Sequence, residues 1–172
     1  MKSVRFFTIT IIVICLLAMT LLYILRLYKN SSKEENFSRY IPEIEVRDIY
    51  SNETFKLANN KKRKSIVCVY DIDCYWCQQK LILISEHSTS INNCNVYFVS
   101  ESSKDAVRSF ISKNNLKIEG IHVCSLIHEG DLMTIFDIMS YPRIFVYDED
   151  NKLIKDFINT STISDILQCL SE

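Results

Sequence analysis

Three hydrophobic patterns succeed one another along the chain. Residues 6–25, FFTITIIVICLLAMTLLYIL, form an uncharged apolar run, and about 20 such residues suffice for a helix to cross a bilayer core. Residues 29–40, KNSSKEENFSRY, are polar and read as a linker. From Ile41 the pattern becomes one of short alternating and short continuous runs. EIEVRDI alternates, YSNET supplies a turn and FKL returns, which predicts a β-hairpin. SIVCVYD (Ser65 to Asp71) and NVYFVS (Asn95 to Ser100) are near-continuous apolar runs, as expected of strands buried on both faces. Tyr75 to Ile91 lacks Gly and Pro and carries Leu81, Ile84 and Ile91 at helical spacing. Lys104 to Asn115 does the same with Val107, Phe110 and Ile111. IHVCSL predicts a short edge strand and DLMTIFDI a short helix. RIFVYDEDNKLIKDFI predicts two strands about a DEDN turn, and STISDILQCL a C-terminal helix capped by Ser161 or Thr162.

A hairpin, then β-α-β-α, then β-α-β-β-α predicts an α/β domain with a central mixed sheet and helices on its faces. The expected organisation is a transmembrane anchor over 1–28, a linker over 29–40 and one domain over 41–172. A chain of 172 residues is long enough for that. The net charge of −1, from 20 basic and 21 acidic side chains, argues against nucleic-acid binding. With two glycines and two prolines, turns must rely on Asn, Asp and Ser. The N-terminal run ends at Arg26 without small residues for cleavage, and a cleaved signal would have a shorter apolar region of about 7–15 residues. Bulky Ile14 before Cys15 disfavours a lipoprotein. A short N-terminal tail and seven cysteines suit a single-pass protein of the cytoplasmic membrane, with its domain on the extracytoplasmic, periplasmic side.

The candidate chemistry lies in DIDCYWCQQK, directly after the first buried run. Cys74 falls at the carboxyl end of a central strand and the start of a helix. Free N–H groups and the positive end of the helix dipole stabilise a thiolate there. Cys77 follows one turn later, within reach of Cys74. Cys74 is therefore the expected attacking thiol and Cys77 the expected resolving thiol. A zinc site needs about four ligands, commonly as two close pairs, and the sequence offers no second pair; His87, His122 and His128 are scattered. A structural disulfide across so small a loop would constrain little chain. Cys68, Cys94, Cys124 and Cys169 are expected in the core.

With these parts in place, the chain resembles the thioredoxin fold and, more narrowly, the membrane-anchored thiol–disulfide oxidoreductases of the TlpA-like, redoxin group. The resemblance rests on IPEIEVRDIYSNETFKL, SIVCVYD, CYWC and SYPRIFVYDEDNKLIKDF. It implies a cis bond before Pro142, a proline lying against the active-site pair, and a nearby backbone that pairs with substrate. It thereby assigns substrate binding to Tyr141 and Pro142. The chain also departs from the pattern. Cys68 stands where thioredoxins have a buried carboxylate, Asp73 where a tryptophan often precedes the first cysteine, and Trp76 lies between the cysteines. Peroxiredoxins have a threonine where this chain has Asp71, which disfavours peroxidase chemistry.

The expected function is thiol–disulfide exchange with thiols and disulfides of envelope proteins. A redox partner at the membrane would restore the pair, and no cofactor or metal is required. Asp71 and Asp73 oppose negative charge at Cys74, so the pair is expected to act as a reductant. The alternative is a binding module that holds a peptide near Tyr75, Trp76, Tyr141 and Pro142 without turnover.

Overall fold

A computed structural model describes residues 15–23, 40–58, 62–128 and 130–171. The chain divides into two compact units, Met1–Phe37 and Ser38–Glu172. In the first, residues 15–23 are helical (α1), and Leu16, Leu17, Leu21 and Leu22 are exposed. The anchor expected over 6–25 lies otherwise outside the described residues, as does the linker apart from Tyr40. Among the described residues no helix is long and apolar enough to cross a membrane.

The second unit opens with the expected hairpin, β1 (Glu45–Asp48) and β2 (Thr54–Lys56). Asn52 adopts φ 62° in its turn, and Asn151 adopts φ 65° in the turn before the last strand. Asparagine tolerates this left-handed backbone better than most residues, which is how a chain poor in glycine makes its corners. Then follow β3 (Ser65–Val69), α2 (Tyr75–Glu86), β4 (Asn95–Ser100), α3 (Lys104–Lys113), β5 (Ile121–Leu126), α4 (Leu132–Ile135), β6 (Arg143–Tyr147), β7 (Leu153–Phe157) and α5 (Ile163–Ser171). The sheet order is β2-β1-β5-β4-β3-β6-β7. Strands β3, β4 and β5 run parallel, and the outer pairings are antiparallel.

Every residue of β3 is buried. Ile66 and Cys68 join one core cluster with Cys77, Leu81 and Ile84 of α2, Val107 and Phe110 of α3, and Ile166 of α5. Val67 pairs with Phe145, and Phe145 stacks on Phe136, just past α4, at 5.3 Å on the opposite face. Apolar groups on both faces explain why the run is continuous rather than alternating.

Two expectations need correction. IHVCSL is not an edge strand: β5 pairs with β4 on one side and β1 on the other. The hairpin folds back against it and takes the edge, a pairing between segments about eighty residues apart that local pattern does not encode. The helix expected to run to Ile91 stops at Glu86, and Ser88–Ile91 form a 3-10 turn. His87 closes the helix, its N–H donating to the Ile84 and Ser85 carbonyls. The Ser-Thr-Ser stretch beyond it competes poorly for helical backbone, while Ile91 still reaches the core.

Candidate active site

Strand β3 delivers the chain to the site through Tyr70, whose N–H donates to the Val99 carbonyl at 3.1 Å. Asp71 then makes the turn: its Oδ1 accepts from the Asp73 N–H at 2.7 Å. Cys74 follows as the N-cap of α2, with extended backbone (φ −87°, ψ 113°). Its sulfur accepts from the Cys77 N–H at 3.2 Å, the place a serine or aspartate oxygen usually fills. The helix start thus directs a donor and its positive end at this sulfur.

Cys74 is half-buried, whereas Cys77, one turn on, is 0% exposed. Both are free thiols. Burial pushes the Cys77 thiol well above its ordinary range, and its hydrogen bond with Cys74 pushes in the same direction. The pair therefore combines an accessible sulfur and a covered one, as sequential attack and resolution require.

On the other side of Cys74, its Sγ lies 3.8 Å from the Tyr141 carbonyl oxygen, to which the thiol donates. The Tyr141–Pro142 peptide is cis, and Pro142 is buried at the entry to β6. The Tyr141 hydroxyl donates to Glu101 Oε1 at 3.2 Å. Burial, followed by the Glu101 carboxylate, raises the Tyr141 phenol above its usual value. Tyr75 and Trp76 are 62% and 57% exposed, with rings meeting edge to face at 5.3 Å. Met139, two residues before Tyr141, is 95% exposed. A groove runs beside the pair between the start of α2 and α3, lined by Ile72, Asp73, Gln78, Ser109 and Lys113.

The fold thus brings Cys74, Cys77 and the Tyr141 backbone together and leaves Tyr75 and Trp76 facing outward. Cys68, Cys124 and Cys169 are buried, as core thiols should be, and Cys94 is half-buried. Burial pushes the Cys68 thiol up to about 12.

Two residues escape a reading of the sequence. Glu101 follows β4 directly and accepts from both the Tyr141 hydroxyl and the Leu132 N–H of α4, joining three elements at the rim of the site. Its available signal is its place at the carboxyl end of a parallel strand. Lys80 sits on the apolar face of α2 one turn after Cys77 and is only 6% exposed. Its signal is a lysine among Cys77, Leu81 and Ile84 at helical spacing. Among the described residues no group of three or more His, Cys, Asp and Glu side chains is arranged to hold a metal ion.

The AhpC/TSA family model matches residues 38–156. No curated protein matches the sequence. Solved structures share the fold at low identity. StoA from Bacillus subtilis is 19% identical with a TM-score of 0.61, covering 77% of this chain and 99% of its own. The exposed lipoprotein thioredoxin of Streptococcus pneumoniae is 20% identical at a TM-score of 0.61, covering 74% and 96%. A secreted disulfide oxidoreductase of Mycobacterium tuberculosis is 14% identical at 0.59, covering 75% and 95%. These likenesses show a thioredoxin-like α/β fold with a mixed sheet.

Proposed function

The chain belongs to the AhpC/TSA family, and from that premise we propose that it is a thiol–disulfide oxidoreductase working through Cys74 and Cys77. The observation that carries the reading is Cys74 at the N-cap of α2. Its sulfur accepts the Cys77 N–H, the buried Cys77 thiol lies behind it, and the Tyr141 carbonyl stands 3.8 Å away.

The reaction proceeds in two exchanges. The Cys74 thiolate attacks one sulfur of a protein disulfide, and the substrate's other sulfur leaves as a thiolate. Cys77 then attacks the Cys74 sulfur, its proton passing by way of solvent to the second leaving thiolate. The substrate gains two electrons and two protons, and the chain is left with a Cys74–Cys77 disulfide. A dithiol partner restores the pair by the reverse exchanges. Tyr75, Trp76 and Met139 supply apolar contact for the substrate chain, and the backbone before Pro142 lies where an extended segment would pair. The exposed Asp73 carboxylate beside Cys74 supports the reducing direction. An extracytoplasmic domain tethered through residues 6–25 acts on envelope proteins in this reading. The apolar run in the sequence supports it, and two of the structural neighbours are a secreted disulfide oxidoreductase and an exposed lipoprotein thioredoxin.

The test is turnover of a protein disulfide by the full-length chain beside Cys74→Ser. Turnover that disappears in the variant supports exchange. Stable peptide capture without turnover, equal in both proteins, would replace the reading with that of a binding module.

A further inference from the structure

One carboxylate oxygen holds both ends of the segment that carries the Tyr141 carbonyl. Glu101 stands directly after β4, a strand paired with β3 on one side and β5 on the other. Its Oε1 accepts from the Leu132 N–H at the start of α4 and from the Tyr141 hydroxyl at 3.2 Å. Between those two points the backbone turns at Asp137, with φ 49°. Ile138 then returns to the interior, 6% exposed, its N–H donating to the Met133 carbonyl at 2.8 Å. Met139 and Ser140 are exposed. The stretch from there to β6 is held by what Tyr141 and Pro142 touch.

Tyr141 is engaged at both of its ends. Its carbonyl oxygen lies 3.8 Å from Cys74 Sγ, and its hydroxyl is on Glu101. Its side chain packs against the same core cluster that Cys74 borders. A tyrosine side chain has only two χ angles. A packed ring with its hydroxyl fixed therefore leaves the backbone behind it little freedom. A group held from a paired strand is also placed more accurately than one carried on a loop alone.

Resting on the exchange reading above, we propose that Glu101 is a positioning residue for substrate. Through the Tyr141 hydroxyl it holds the backbone before Pro142 where the substrate chain pairs beside Cys74. Glu101 takes no part in proton or electron transfer. It lends the order of β4 to the loop, and by sharing one oxygen with Leu132 it ties the loop to α4 as well. A disulfide within an extended chain depends on that backbone. A small disulfide with no chain to pair reaches Cys74 without it.

The test uses the full-length chain and its Glu101→Ala, Glu101→Gln and Tyr141→Phe variants. The substrates are a peptide with a disulfide in an extended segment and the small aromatic disulfide dithiobis(nitrobenzoate). Ala and Phe should each raise KM for the peptide about tenfold with kcat little changed. Neither should alter kcat/KM for the small disulfide, which a general loosening of the fold would lower. Gln keeps an acceptor oxygen and should recover most of the loss. Ala and Phe combined should cost no more than either alone, because both cut one bond. Tyr141→Phe leaves the Leu132 bond intact, so it separates positioning from the stability that Glu101 also supplies. Folded Ala and Phe variants with the peptide KM unchanged, or with both substrates slowed alike, overturn the inference. A wild type that turns over neither disulfide overturns the exchange reading instead. Peptide affinity by calorimetry then decides: a loss in Ala and Phe leaves the positioning role standing, and equal affinities overturn it too.

Discussion

Cys74 and Cys77 are three positions apart on one helix, yet they occupy different media. Cys74 meets solvent and caps the helix; Cys77 is sealed beneath it. In the proposed exchange that difference in exposure divides attack from resolution, so removing one sulfur should stop the reaction at a defined point. Cys77→Ala should accumulate a covalent adduct between Cys74 and a substrate cysteine, seen by mass spectrometry after acid quenching. An adduct no more abundant than in wild type would show that Cys77 does not resolve. Glu101 makes a claim of another kind. Its carboxylate accepts from the Tyr141 hydroxyl and the Leu132 N–H. Hydrogen bonds to charged groups contribute about 1.5–3 kcal/mol, so Glu101→Ala should lower urea stability by roughly 2 kcal/mol. A midpoint within error of wild type would refute that tie.

Helix α2 depends on Cys74 for its start, because the sulfur stands in for an N-cap oxygen. Serine is a favoured cap and alanine a poor one. Cys74→Ser should therefore keep wild-type stability, and Cys74→Ala should lose about 1 kcal/mol. Equal denaturation midpoints for the two would show that the sulfur does not cap. Helix α5 starts from a reciprocal pair: the Thr162 N–H donates to Asp165, and the Asp165 N–H donates to the Thr162 hydroxyl. Its cap, Thr162, is one of the two residues expected from the sequence. The pattern of apolar positions located β3, β4, β6, β7, α3 and α5 well, because each presents a local period. It misplaced the end of α2 and the setting of β5. Helix termination there turns on one residue's backbone, and whether a strand is central depends on which distant strand pairs with it.

Folding places several thiols in the interior, and that sets the alkaline limit of the protein. Burial holds the Cys68 proton in the native state up to about pH 12, against an ordinary value of 9.0. Between those values the unfolded chain binds fewer protons than the native one, so stability falls as pH rises. One such group contributes a slope of about 1.4 kcal/mol per pH unit. The loss should begin near pH 9, and Cys68→Ala should flatten it. Cys124, also pushed up by burial, adds to the wild-type slope in the same direction. Urea titrations from pH 8 to 11 with equal slopes in wild type and Cys68→Ala would sink the assignment.

The order of strands and helices, the spacing of Cys74 and Cys77, and their place between a buried strand and a helix follow from the sequence by itself. Each is a short-range pattern, fixed by backbone geometry and the period of apolar side chains. Other features exist only once distant segments meet. The Tyr141 carbonyl reaches Cys74 across 67 positions of chain, and the Ser161 carbonyl reaches Lys80 across 81. The burial of Lys80, the junction at Glu101 and the interior place of β5 belong to this second group. Burial and electrostatic pairing are properties of what packs against a residue, and only tertiary structure supplies those neighbours.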